Sequence, residues 1–175
     1  MRSVGCLGCL GLLMAAGSLA AEADLLELTL ETKAGRGDRP MIVVWIEDKD
    51  GRFVETVEIC SQAQKYYKEL STWYAAKKEK EGSMVVDAVV GATMRWGGKR
   101  LIQIPIRKEG RNLMDGNHVL RIESATDGGA RYKDFRIPIR DGFKGGVFEH
   151  GGHVCRVTVR LNAVETPPGE SRPRP

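Results

Sequence analysis

Residues 85–94 carry the groups that an acceptor for covalent modification needs. Asp87 offers a carboxylate, Gly91 lets the backbone approach a bulky group, and Ala92 adds no obstruction. Thr93 follows with a hydroxyl, which becomes a nucleophile only when another group activates it. The pattern therefore predicts a bend that presents a hydroxyl to a modifying enzyme. The alternative is a plain tight turn, because Asp, Gly and Thr suit turns for local hydrogen-bonding reasons.

A second group of reactive side chains lies farther along the chain, where Glu149, His150, His153 and Cys155 fall close together. Imidazole, carboxylate and thiolate are the ligands that zinc and copper use in proteins. His150 and His153 are therefore candidates for a metal site, although the signal has low specificity. A Gly-Gly turn between two strand ends brings such residues together without any metal, and this interpretation is favoured.

Two cysteines, Cys60 and Cys155, lie outside the N-terminal apolar stretch. In an exported protein they could form one disulfide that closes a long loop. Two free thiols are the alternative.

The remaining sequence contains no serine nucleophile elbow and no phosphate-binding glycine loop. An independent catalytic activity is therefore not indicated. The net charge is only +4 over 175 residues, and the basic residues are interleaved with acidic ones. This distribution argues against a nucleic-acid-binding protein.

Residues 1–20 are typical of a cleaved secretory signal peptide. Arg2 precedes an apolar stretch over residues 4–16, and small residues follow it. The chain is therefore predicted to be exported to the periplasm, with no transmembrane segment in its mature form. Residues 24–164 are predicted to form one domain, and the Pro- and Arg-rich residues 165–175 a disordered tail.

Alternation with a period of two predicts the strands that position these groups. Leu26, Leu28 and Leu30 alternate with polar residues, as expected of a strand with one buried face. Residues 41–46 are apolar on both faces and predict a central strand, which an Asp-Gly turn joins to the next strand in a hairpin ending near residue 59. Further strands are predicted at 101–107, 118–123, 132–140 and 153–161.

Two nearly identical tetrapeptides, Ile104-Pro105-Ile106-Arg107 and Ile137-Pro138-Ile139-Arg140, predict two edge strands. Proline cannot donate a hydrogen bond to a sheet and is tolerated mainly at edges.

Residues 61–80 change to a helical period, with Tyr67, Leu70 and Trp73 on one broad apolar stripe. Ser61 and Gln64 form a capping-box pattern, and Gly82 is placed to end the helix. The many short strands and the one helical insertion together predict an all-β, mainly antiparallel fold. The specific expectation is an immunoglobulin-like β-sandwich.

The segments 41–54, 66–73 and 86–93 resemble the predicted periplasmic proteins of the domain of unknown function 2271 family. The likeness covers most of the chain after the leader and is strongest between residues 41 and 94. It implies an exported protein of this family.

The segment Asp87-Ala88-Val89-Val90-Gly91-Ala92-Thr93 is also similar to the motif by which flavin-carrying subunits of redox complexes accept FMN. There an FAD:protein FMN transferase joins the FMN phosphate to the last hydroxyl. Carried over by position, Asp87, Gly91 and Ala92 match, and Thr93 is the implied acceptor. Val90 departs from the motif, which has Thr or Ser at that position.

Two functions follow from these observations. The first is a periplasmic carrier of covalently attached FMN, with the transferase and membrane or periplasmic redox proteins as partners. The second is a non-catalytic binding or interaction module, accessory to a membrane redox complex, in which residues 87–93 are only a turn. A β-sandwich fold alone does not decide between them.

Overall fold

The computed structural model describes residues 25–61, 63–86 and 88–162, with the backbone alone described at Asp134. The predicted signal peptide (1–20), the predicted tail (165–175) and Asp87 lie outside the described residues. The longer strands are β1 (Leu25–Thr32), β2 (Met41–Asp48), β3 (Phe53–Cys60), β5 (Lys99–Pro105), β8 (His118–Ala125), β9 (Arg131–Ile139) and β11 (Val154–Asn162). The shorter strands are β4 (Val89–Gly91), β6 (Arg107–Lys108), β7 (Arg111–Asn112) and β10 (Gly146–Glu149).

The strands form two main sheets that pack face to face. The first has the order β10-β11-β1-β5 and the second the order β4-β3-β2-β8-β9, with β6 and β7 as a separate small hairpin. Apolar residues of both sheets share one core cluster, as in a β-sandwich. The predicted all-β, mainly antiparallel fold is confirmed. Its immunoglobulin-like topology stays a prediction.

Strand β1 lies inside the first sheet and pairs with both β11 and β5. Its burial alternates along its whole length, with Leu26, Leu28 and Leu30 fully buried. The predicted one-sided strand is confirmed, because successive side chains of a strand point to opposite faces.

Strand β2 is the centre of the second sheet, between β3 and β8. Ile42, Val44 and Ile46 face the core between the sheets. Val43 and Trp45 face the other way and pack beneath the helical segment. Burial on both faces explains why this strand is apolar without interruption. The predicted hairpin with β3 is confirmed.

The helical segment has two parts, a 3-10 helix over Gln64–Glu69 and an α-helix, α1, over Ser71–Glu81. Leu70 separates them and is fully buried. Gly82 ends α1 in the left-handed conformation with φ of 66°, as predicted. The apolar stripe covers the outer face of the second sheet, so the molecule has a third layer on that side.

The predicted capping box is wrong. The Ser61 hydroxyl donates to the Ala63 carbonyl, and no side chain caps the 3-10 helix at its first residue. The start of α1 is capped from the sheet instead. Both carboxylate oxygens of Glu123 on β8 accept backbone hydrogen bonds, from Thr72 at 3.0 Å and from Trp73 at 2.9 Å. A carboxylate suits a helix N-terminus, where backbone N–H groups lack partners inside the helix.

Both proline-containing strands lie at sheet edges. Strand β5 with Pro105 ends the first sheet, and β9 with Pro138 ends the second. The predicted edge positions are confirmed, since an edge strand can leave its missing donor unpaired. The hairpin of β6 and β7 and the strand β10 were not predicted, because they are too short to show a hydrophobic period.

Candidate functional site

The predicted acceptor segment begins on β4, a three-residue edge strand that runs parallel to β3. The register places Gly91 opposite Cys60, and the Ser61 backbone N–H donates to the Gly91 carbonyl at 3.2 Å. The bend after β4 then leads to Thr93. The chain therefore enters the candidate site from an ordered sheet edge.

Gly91 has a packing reason to be glycine. A Cβ atom there would lie 3.1 Å from Glu58 Oε1 and 3.2 Å from Arg100 Nη2. Glu58 is buried, and its Oε1 accepts from the Arg100 guanidinium through both Nε and Nη2, each at 2.7 Å. This ion pair joins β3 of one sheet to β5 of the other. The close packing against this ion pair thus favours glycine at position 91, whether or not the segment is modified.

The Cys60 thiol also lies against Glu58, with Sγ donating to Oε1 at 3.5 Å. Burial, together with the negative charge of Glu58, raises the pKa of Cys60 to about 12. The thiol therefore stays protonated at physiological pH and is a poor nucleophile.

Of the two alternatives for Cys60 and Cys155, the structure has two free thiols. Cys60 belongs to the core cluster between the sheets, whereas Cys155 is not a member of that cluster. The Cys155 thiol instead donates to the backbone carbonyl of Glu31 at 3.4 Å. The two sulfur atoms are held by different neighbours on different sheets.

Thr93 is buried, and its hydroxyl is the unusual feature of the segment. The side chain is 8% exposed, and Oγ1 has no hydrogen-bond partner among the described residues. Leaving a buried hydroxyl without a partner costs roughly 1–3 kcal/mol. The same residue lines a partly open cavity of about 290 Å³, whose other lining residues are Gly37, Asp38, Arg39, Met41, Tyr66 and Asp127. Thr93 therefore borders a cavity, and its buried hydroxyl has no hydrogen-bond partner in the described part of the chain.

Two other motif residues, Val90 and Ala92, lie at the surface and not at the cavity. Val90 is 55% exposed and does not line the cavity, and Ala92 is also exposed. The departure from the motif at Val90 therefore removes no buried hydrogen bond. It alters a surface that a modifying enzyme would meet.

The bend that holds Thr93 is fastened to the end of β1. The Thr32 hydroxyl donates to the Arg95 carbonyl at 2.7 Å and accepts from the Gly98 backbone N–H at 2.9 Å. The Thr32 backbone N–H donates to the Gly98 carbonyl at 3.0 Å. A few loop hydrogen bonds, and not a sheet ladder, thus keep the hydroxyl in place.

The charges around the cavity come from two distant loops. Asp38 and Arg39 lie before β2, and Asp127 lies in the turn between β8 and β9. All three residues are exposed, and Arg39 forms no ion pair with another described residue. The cavity is thus lined by Thr93, whose hydroxyl is buried, and by charged groups that water can reach.

The two candidate metal ligands have separate surroundings. His153 is buried, and its Nδ1 lies 3.2 Å from the Ser124 hydroxyl. Its ring makes edge contacts with Trp96 and Tyr132, at centroid distances of 5.4 and 4.7 Å. Burial, with a smaller effect of the nearby Lys33 charge, lowers the pKa of His153. His153 is thus a neutral packing residue of this end of the sandwich.

His150 is exposed, and its Nδ1 accepts from the Gly152 backbone N–H at 3.0 Å. Within residues 25–61, 63–86 and 88–162, no three His, Cys, Asp or Glu side chains are grouped so that they could hold a metal ion. Neither histidine therefore has the ligand set that a zinc or copper site requires.

Arg39, Tyr66 and Asp127 are cavity residues that the sequence did not predict. Arg39 lies before β2, Tyr66 in the 3-10 helix and Asp127 in the turn between β8 and β9, and only the fold brings these segments together. The turn composition around Arg39 and Asp127 is the one available signal, and turns of this kind are common on protein surfaces.

The family model of predicted periplasmic proteins (DUF2271) matches residues 25–154. The chain belongs to the DUF2271 family. The match covers the second sheet, the helical layer, the Thr93 bend and the first sheet up to the start of β11, and with it the predicted periplasmic location is confirmed. No curated protein and no solved structure matches this DUF2271 chain. Within the described part of the chain, no helix is long and apolar enough to cross a membrane.

Proposed function

We propose that this periplasmic protein carries FMN attached covalently to Thr93. The observation that supports the proposal is Thr93, which lines the cavity and whose buried hydroxyl has no hydrogen-bond partner among the described residues. The hydroxyl also stands at the acceptor position of a sequence resembling the FMN-attachment motif. A phosphoester oxygen has no proton to donate, so attachment would remove the unsatisfied donor.

The attachment step is a phosphoryl-group transfer. The Thr93 oxygen attacks the FMN phosphorus of FAD, a new P–O bond forms, and the bond to the AMP oxygen breaks. AMP leaves, and the hydroxyl proton passes to a base of the FAD:protein FMN transferase. No atom changes its oxidation state in this step, and no other co-reactant is consumed.

The transferase must reach a side chain that is 8% exposed. The bend lies at the edge of the second sheet and is fastened to β1 through Thr32, while Met94, next to Thr93, packs in the core cluster. The transferase would therefore act during local opening of this segment or before the bend closes. The exposed side chain of Val90 is available for contact with the enzyme before the bend closes.

Bound FMN would supply electron-transfer chemistry, and the chain would attach the group and limit its access to water. The cavity of about 290 Å³ is near the lower limit for small-molecule sites, so it fits part of the group. The remainder would lie at the open side, where a redox partner could approach it.

The second candidate function is an interaction module without a cofactor. Three valines around β4 support it, since Val85, Val89 and Val90 are 75%, 60% and 55% exposed. Exposed apolar side chains near an edge strand are typical of protein-binding surfaces. The same surface also serves the first proposal, as a contact for the transferase.

Coexpression with an active transferase separates the two functions. The full-length chain is purified from the periplasm, and its intact mass and in-gel flavin fluorescence are measured under denaturing conditions. We expect a mass gain equal to FMN less one water, and loss of this adduct in Thr93→Ala. Thr126→Ala, in the turn next to Asp127, is the matched control and should keep the adduct. An unmodified chain, with a control substrate labelled in the same cells, would support the interaction module.

A further inference from the structure

The charge balance of the cavity has a consequence for how attached FMN is held. A phosphodiester carries one negative charge, and two carboxylates, Asp38 and Asp127, already border the cavity. Each carboxylate repels a nearby phosphodiester, and a neighbouring cation would offset that repulsion. Among the described residues that line the cavity, Arg39 is the one that carries a positive charge.

We infer that Arg39 is the counter-charge for the phosphodiester that joins FMN to Thr93, an assignment that rests on the proposed function. The guanidinium is a planar donor fork that matches two phosphate oxygens at once. Arg39 has no ion pair with another described residue, so a bound phosphate would not have to displace a partner.

The backbone keeps Arg39 at the cavity. The next residue is Pro40, which is buried and which restricts the residue before it to extended backbone conformations. Met41 then begins β2, the central strand of the second sheet, and also lines the cavity. Arg39 is therefore anchored next to β2, the central strand of the second sheet, although its side chain is exposed.

Lys65 is the obvious competitor for this role. Its Nζ lies 4.7 Å from the centroid of the Tyr66 ring, and Tyr66 lines the cavity. Lys65 itself does not belong to the lining, and its charge already has an aromatic partner. Lys65 is therefore a suitable control cation at a similar place.

The test compares the thermal midpoint of each variant with and without the attached flavin. The loaded chain comes from coexpression with the transferase, and the unloaded chain from cells without it. The readout is the loading shift, defined as the midpoint of the loaded chain minus that of the unloaded chain. This difference cancels any effect of a substitution on the unmodified fold.

Arg39→Gln should lower the loading shift by about 1–4 °C, the size expected for loss of an exposed charge pair in a chain of this length. Arg39→Lys should restore part of it, because a point charge replaces the fork. Asp127→Asn should raise the loading shift, since it removes a repelling carboxylate. Lys65→Gln should leave it unchanged.

The outcomes separate this inference from the proposed function. A wild-type chain without any adduct contradicts the proposed function and the inference together. An adduct on Thr93 whose loading shift is the same in Arg39→Gln and wild type contradicts the inference alone. A loss in Lys65→Gln as large as that in Arg39→Gln also contradicts it, because the effect would then be general screening of charge.

Discussion

Two buried polar groups near the second sheet differ in whether their hydrogen bonds are satisfied. Glu123, 1% exposed, has both carboxylate oxygens occupied by backbone donors of α1. Thr93, 8% exposed, has a hydroxyl without a partner among the described residues. The first group is explained by the fold, because it satisfies donors that a helix start always leaves open. The contacts of the described residues do not explain the second, and a buried polar group without a partner calls for a separate explanation.

The largest effect is expected from Glu123→Gln, which tests whether Glu123 is structural. The amide keeps the size of the side chain, but it has one acceptor oxygen and places an NH2 group against a backbone donor. We expect a loss of about 2–3 kcal/mol in the free energy of unfolding, measured by urea denaturation. Glu149→Gln is the control, because its exposed ion pair with Arg156 should contribute less than about 1 kcal/mol. Equal stability of both variants would contradict the capping role.

A medium effect is expected from Gly91→Ala, which separates the glycine of the motif from its hydroxyl. The added methyl group would press on the Glu58–Arg100 ion pair, and part of the strain can relax through the flexible arginine. We expect a loss of about 1–2 kcal/mol in the free energy of unfolding.

Gly146→Ala is the control for this variant. Gly146 is also in an edge strand, and its added Cβ would meet Phe148 at an ordinary distance of 3.5 Å. If Gly91→Ala were as stable as Gly146→Ala, the packing reason for glycine at this position would be wrong.

The smallest effect, of opposite sign, is expected from Thr93→Val. Valine has nearly the same shape and removes a buried hydroxyl that has no partner. The free energy of unfolding of the unmodified chain should rise by zero to about 1 kcal/mol, in contrast to the loss in Glu123→Gln. A loss above about 1 kcal/mol in urea denaturation would show that the hydroxyl is satisfied in solution, and the contrast between the two groups would disappear.

Local sequence patterns were sufficient for much of the fold. The alternation around Leu28 predicts β1, the unbroken apolar run predicts β2, and Pro105 and Pro138 predict the two sheet edges. Each of these signals depends on a backbone period or on a missing donor, which neighbouring residues reveal.

Only the part of the site that lies in one continuous segment of the sequence could be predicted. The motif singled out Thr93, but it gave no indication of Arg39 or Asp127, which come from loops far away in the chain. The helix cap was missed for the same reason, since Glu123 lies 50 residues from Trp73 in sequence. The two alternatives for Cys60 and Cys155 could not be separated from the sequence, because cysteine spacing does not show that one residue belongs to the core cluster and the other does not.

Peptide mapping of the chain coexpressed with the transferase tests the central claim most directly. Cleavage after Lys80 and Arg95 releases the peptide 81–95, which contains Thr93 and also Ser83 as an internal control. Tandem mass spectrometry should place FMN, less one water, on Thr93, and the Thr93→Val peptide should be unmodified. An unmodified wild-type peptide beside a labelled control substrate, or a flavin placed on Ser83, would contradict the account.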